Sequence, residues 1–238
     1  MRLTHLFALL AAFALAAPAS AGFIIEIDAD GLDDGPLTLS PNFSFGGLTT
    51  TASTSIASTA VGLQGADSIF GGDAPNSVGV ATPDTYVYTY DPSTDGDNDD
   101  GLIDDALNAD GDGASGLLAG VSGTYAVYAT WPATTNVSNS PTNYVLNDGT
   151  SDVLSISIDQ NGKGNEWIKL GEFALDASKT YTLTQTNTPA EAFDGFSTTF
   201  SNGFVSQRAH GVYFDRIPEP ASAVLFGLGL AGLGLRRK

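Results

Sequence analysis

Val153-Leu154-Ser155-Ile156-Ser157-Ile158-Asp159 is the stretch on which the fold turns. Leu154, Ile156 and Ile158 alternate with Ser155, Ser157 and Asp159, so one face is apolar and the other polar at a period of two, the pattern of a half-buried antiparallel strand. Immediately upstream, Asn147-Asp148-Gly149 predicts a tight hairpin turn, because Asp-Gly accepts the positive φ that primed turns need. The strand returning from that turn is Asn143 to Leu146. Tyr125, Val127, Ala129 and Trp131 share a face in the run Gly123 to Trp131. Further short β-branched or aromatic runs are Phe23 to Ile27, Thr85 to Tyr90, Trp167 to Phe173, Lys179 to Thr186 and Gly211 to Ile217. All are bounded by Gly, Asn, Asp or Pro, and no helical repeat appears between the two ends of the chain. About eight strands at this spacing predict an all-β protein, a jelly-roll-like β-sandwich of two sheets.

The two ends read differently from this body. Arg2 and His5 precede an apolar run from Leu6 to Ala17, and Ala19-Ser20-Ala21 is the small-x-small pattern of a signal peptidase site, so residues 1–21 are expected to be a signal peptide cut after Ala21. At the other end Pro218-Glu219-Pro220 is followed by an apolar run from Ala221 to Leu235 and then Arg236-Arg237-Lys238. Fifteen residues at about 1.5 Å each reach roughly 22 Å as a helix, short of a hydrocarbon core of roughly 30 Å, so the expected anchor is a temporary one. The terminal cations would hold that end in the cytoplasm. This arrangement closely resembles the PEP-CTERM sorting signal. The resemblance implies that residues 218–238 hold the protein in the inner membrane until an exosortase-type enzyme cuts near Pro218, Glu219 and Pro220, leaving the product in the envelope or extracellular matrix.

Residues 22–217 are then one domain, with Lys163, Lys169, Lys179, Arg208 and Arg216 against 26 of the 27 acids, a net charge of −21. So acidic a body argues against nucleic acid or anionic lipid as a partner, since phosphate binding depends on clustered Lys and Arg. With no cysteine, it has no disulfide framework, thiol nucleophile or cysteine metal site.

Gly123-Thr124-Tyr125-Ala126-Val127-Tyr128, Trp131-Pro132, Asn143-Tyr144-Val145, Asp159-Gln160-Asn161-Gly162, Trp167 to Gly171 with Phe173, and Val212-Tyr213-Phe214 follow one another in an order that resembles the golvesin C-terminal-like domain. The resemblance covers residues 120–217 best and implies a jelly roll like that of carbohydrate-binding modules. His210 stands where members of that family usually have an acid. The quoted motifs read as structural: Gln160 is expected to satisfy backbone groups at a corner, and Trp167 and Phe173 to fill the core.

Nine aspartates lie between Asp91 and Asp112 with no Lys or Arg among them. Asp95-x-Asp97-x-Asp99 and Asn108-x-Asp110-x-Asp112-Gly113 have the alternating oxygen donors of a Ca²⁺ loop. Both are incomplete, with Asp100 at a turn-glycine position and Ala119 where a bidentate Glu belongs. Two readings fit: a Ca²⁺ site using Asp95, Asp97, Asp99, Asp110 and Asp112, or a solvated insert kept extended by its own charge.

His210 is the one histidine of the body, which excludes a histidine cluster for zinc, and no two acids are placed as a catalytic pair. No catalytic residue is expected. Exposed rings stack on sugar faces, which makes Trp131 and Tyr144 the candidate ligand-binding residues and extracellular polysaccharide the candidate partner. Tyr86, Tyr88 and Tyr90 share a strand face and read as a core stripe in preference to a platform. The sequence thus points to an exported, noncatalytic surface or matrix protein with carbohydrate binding. A purely structural matrix protein and a secreted polysaccharide-active enzyme are the alternatives.

Overall fold

Antiparallel pairing accounts for every sheet in the computed structural model, which describes residues 22–29, 37–65, 67–71, 84–95, 122–135, 137, 141–187 and 207–217. Its strands are β1 (Gly22–Glu26), β2 (Phe43–Gly46), β3 (Ser53–Ile56), β4 (Asp67–Phe70), β5 (Thr85–Tyr90), β6 (Gly123–Thr130), β7 (Thr142–Asn147), β8 (Asp152–Ile158), β9 (Ile168–Leu175), β10 (Tyr181–Asn187), β11 (Arg208–Ala209) and β12 (Gly211–Arg216). One sheet has the order β1-β12-β6-β9 and a second the order β2-β5-β10-β7-β8; a third, small sheet is β11-β4-β3. The expected all-β sandwich is therefore present, with one sheet more than the two foreseen. Among the described residues there is no helix, and so none long and apolar enough to cross a membrane. The expected signal peptide, the tail 218–238 and residues 96–112 of the acidic insert lie outside the described residues.

The two larger sheets are held together by aromatic rings on their inner faces. Tyr90 of β5 lies between Phe23 of β1 at 5.1 Å and Phe214 of β12 at 4.8 Å, both stacked contacts across the sandwich. Phe173 of β9 meets Tyr181 of β10 at 5.2 Å. Tyr86, Tyr88 and Tyr90 are all buried, which makes them the core stripe their spacing suggested. Each such ring removes about 150–250 Å² from water, a large share of the folding free energy of a domain with no covalent cross-links. The cost is polar: burial, with the nearby Tyr144 and Tyr86 hydroxyls, pushes the Tyr88 phenol well above its ordinary pKa.

Strand β8 carries the alternation that the sequence displays, Ile158 buried and Leu154 and Ile156 half-buried while Ser155 and Ser157 are exposed. The hairpin before it is looser than a two-residue turn. Residues 148–151 form the loop, with Gly149 at φ +85° and Asp148 N–H donating to the Ser151 carbonyl. Asp148 is what shapes it. Its Oδ1 accepts from the Thr150 and Ser151 amides at 2.9 and 2.8 Å, and its Oδ2 takes the Lys179 ammonium. These partners, Lys179 first, hold the Asp148 carboxyl well below the usual carboxylate range.

A carboxyl so depressed adds stability that is complete above the unfolded-state pKa, about 3.9, and is lost as pH falls toward the folded value. Asp148→Asn is therefore expected to lower Tm at pH 7, with the gap to the parent closing as pH is taken from about 5 to about 2. Thermal melts across that range check this; a gap that stays constant would mean that Asp148 is not the group responsible.

Candidate functional site

Trp131 and Tyr144, expected to present rings to a sugar, do not do so: both are fully buried and they stack on each other with centroids 6.5 Å apart. The reason is their register. Trp131 continues the inward face of β6 beyond Ala129, and Tyr144 occupies an inward position of β7, so both rings point between the sheets. Burial pushes the Tyr144 phenol upward, offset in part by the amide of Gln160 donating to its hydroxyl at 3.0 Å.

The turn that follows β8 closes over Trp131. Gln160 C=O accepts the Trp131 indole N–H at 3.4 Å, and Asn165 N–H donates to the Trp131 carbonyl at 2.8 Å. Gly164, at φ +111°, sits where a Cβ would be 2.5 Å from that carbonyl oxygen, so no side chain fits there. Gln160 also performs the corner role expected of it. Its Oε1 accepts from Arg208 N–H and its Nε2 donates to Arg208 C=O, each at 2.8 Å.

His210 is fully buried between β11 and β12. Its Nδ1 accepts the Ser58 backbone N–H at 2.8 Å, which fixes the neutral ring with its proton on Nε2, 3.6 Å from Glu26 Oε2. Glu26 is itself occupied, accepting Gln64 N–H at 2.8 Å and Gly65 N–H at 2.6 Å. A serine, a histidine and a glutamate thus meet, yet not as a nucleophile and its base. The Ser58 hydroxyl pairs with Thr130 at 2.7 Å, and the imidazole nitrogen that would take a proton is spent on a backbone donor. His210 ties β1, the 58–65 segment and β12 together.

Of the five aspartates proposed for Ca²⁺, Asp97, Asp99, Asp110 and Asp112 lie outside the described residues. Asp95 is visible, and its Oδ2 accepts from Asn42 Nδ2 at 2.8 Å and Asp91 N–H at 2.7 Å. It fastens the root of the insert to the chain before β2. No group of three or more potential metal ligands occurs among the described residues.

The rings that reach the surface are elsewhere, and the sequence misplaced one of them. Trp167 was expected in the core with Phe173, six residues on and nominally on the same face. A β-bulge intervenes: Val127 pairs with Gly171 but Tyr128 with Lys169, so Leu170 has no partner and the faces exchange. Leu170, Phe173 and Leu175 point inward, whereas Trp167, Lys169 and Glu172 lie on the outer side. There, Trp167 and Tyr128, both half-buried, flank the buried ring of Tyr213 at centroid distances of 5.6 and 5.9 Å. Ile24 completes this outer cluster. Trp167 is held by its indole N–H donating to the Val61 carbonyl at 3.0 Å, and Tyr213 by its hydroxyl donating to Asp215 at 3.3 Å. Lys169 and Glu172 form an exposed ion pair beside the rings. Such a bulge leaves no trace in a period-two pattern.

Comparison with known proteins agrees with both resemblances in the sequence. Residues 118–193 match the Golvesin C-terminal domain, and residues 216–238 match the PEP-CTERM protein-sorting motif. The chain thus carries a golvesin-type domain, which is not a catalytic one, and a sorting motif. That motif marks an exported, envelope-associated protein and implies processing by an exosortase, a membrane enzyme. No curated protein matches the chain. Among solved structures it is similar to a xanthan lyase of Paenibacillus, with 17% identity and a TM-score of 0.47 over 83% of this chain and 13% of that one. It is also similar to the GH26-CBM35 β-(1,4)-mannanase of Podospora anserina, with 12% identity and a TM-score of 0.37 over 84% of this chain and 29% of that one. The chain therefore spans under a third of the length of either enzyme.

A structural His210 makes a specific spectroscopic expectation. ¹⁵N shifts of its imidazole at neutral pH should report Nδ1 unprotonated and Nε2 protonated, and His210→Ala should cost about 1–3 kcal/mol for the orphaned Ser58 N–H alone. A protonated Nδ1, or an alanine variant as stable as the parent, would contradict this arrangement.

Proposed function

We propose that this is a noncatalytic glycan-binding protein of the cell envelope or extracellular matrix, exported through residues 1–21 and delivered by its sorting tail. The observation that carries this reading is the pair of accessible rings, Trp167 and Tyr128, set on the outer face of a sheet whose strand β12 runs directly into the sorting motif. Sugar rings stack on such aromatic faces, and the neighbouring Asp215 and Glu172 carboxylates supply acceptors for hydroxyl groups.

The junction with the tail favours processing. Ile217 N–H still bonds the Thr124 carbonyl at 2.9 Å, so the folded body extends to the residue before Pro218. A membrane enzyme cutting at Pro218, Glu219 and Pro220 would release or transfer an intact domain. A groove of about 280 Å³ beside β2 is lined by Leu37, Leu39, Phe45, Thr51, Ala52 and Thr54, none of them an acid or a base. Ca²⁺ binding by the 91–112 insert is kept as a secondary part of the proposal, resting on its spaced aspartates.

Fractionation tests the sorting half. Cells carrying the full chain should hold the processed body in the envelope or medium, whereas deletion of Pro218-Glu219-Pro220 should leave unprocessed chain in the inner membrane. Equal retention of full-length chain in both would overturn it.

A further inference from the structure

The outer face of the four-stranded sheet carries a further inference about which glycans it takes, and this rests on the glycan-binding reading above. Cross-strand pairing sets its chemistry in two rows. Ile24, Tyr213, Tyr128 and Lys169 are successive partners across β1, β12, β6 and β9, and in the next outward row Asp215 and Glu172 flank Ala126. The rings are thus bordered on one side by two carboxylates with only a methyl group between them. Lys169, the cation of these rows, is held by Glu172, a pairing that raises its pKa and keeps it charged and occupied.

We infer that this face binds neutral polysaccharide and rejects uronate-containing polymers. A neutral pyranose offers a C–H face to Trp167 and Tyr128 and hydroxyl donors to Asp215 and Glu172, whose carboxylates can accept a further donor beside the Tyr213 hydroxyl and the Lys169 ammonium. A uronate brings a carboxylate beside two others on a body of net charge −21, where like charges oppose the approach and the nearby ammonium is already paired. Tyr213 holds the arrangement without itself being reachable. It is buried, and a Cβ added at Gly22 would lie 2.5 Å from its ring, so the strand edge closes over it.

The test uses the full body 22–217 in affinity electrophoresis through gels containing neutral polymers (glucan, galactomannan, xylan) or uronate polymers (alginate, polygalacturonate). The expected result is retardation by at least one neutral polymer and by neither uronate polymer. Trp167→Ala should weaken the retardation at least tenfold, while Trp167→Phe, which keeps a ring, retains most of it. Added salt up to about 0.5 M should leave neutral binding unchanged, since a Debye length of a few ångströms would abolish a charge-driven contact and spare a stacked one. Retardation by uronate polymers alone would overturn the specificity and leave glycan binding standing. Neutral binding unaffected in Trp167→Ala would place the site elsewhere. No retardation in any gel would sink both the inference and the glycan-binding reading.

Discussion

The peptide of Arg208 is where three sheets are joined, and the fold depends on its being satisfied there. Its N–H donates to Gln160 Oε1, and its carbonyl accepts from both Gln160 Nε2 and Gln185 Nε2 at 2.8 Å. Gln160 follows β8 and Gln185 lies in β10, both of the five-stranded sheet, while Arg208 itself pairs with Phe70 of β4 in the small sheet. Three residues later the same chain enters β12 in the four-stranded sheet. Gln207 adds a further amide bond, Nε2 to the Asp84 carbonyl at 2.9 Å, just before β5. Side-chain amides thus stand in for a strand neighbour, as buried peptide groups must find partners somewhere. Losing one of them would leave a buried acceptor or donor unmet at about 1–3 kcal/mol.

That clamp explains why so much aromatic surface serves packing. Once the 207–210 segment is fixed between the sheets, Trp131, Tyr144 and the three tyrosines of β5 have no route outward, and the 160–165 turn seals the end of the stack. The quoted golvesin-like motifs fall largely on this machinery: Gln160 on the clamp, Trp131 under the turn, Phe173 against Tyr181 and Phe214. What is left for the proposed recognition is the reverse side of the other sheet, where the bulge at Leu170 turns Trp167 out while keeping Phe173 in.

The strands with strict alternation were legible from the sequence, β5 to the residue and β6, β7, β8, β10 and β12 within a residue or two. Strands β2, β3, β4 and β11 were not, because Phe43-Ser44-Phe45-Gly46, Ser53-Thr54-Ser55-Ile56 and Asp67-Ser68-Ile69-Phe70 are short and rich in serine, and Arg208-Ala209 has no pattern at all. Their identity comes from pairing partners far along the chain. The candidate ligand-binding rings Trp131 and Tyr144, and the expected core ring Trp167, were misplaced for a related reason. A period-two reading identifies which residues share a face but not which face is inward, and a single bulge reverses the answer midway through β9. The partners of the buried His210, Ser58 and Glu26, lie 152 and 184 residues away and were not legible.

The chain has two tryptophans, one buried and one at the surface, so fluorescence can separate packing from recognition. The most direct measurement is the emission of the parent and of Trp167→Phe titrated with a neutral polysaccharide that retards the protein. The account predicts that the parent spectrum shifts or quenches on binding, whereas Trp167→Phe, reporting Trp131 alone, gives a blue-shifted emission that does not respond. A ligand response from Trp131 of the same size as the parent's would contradict it, because that ring would then have to be reachable from solvent.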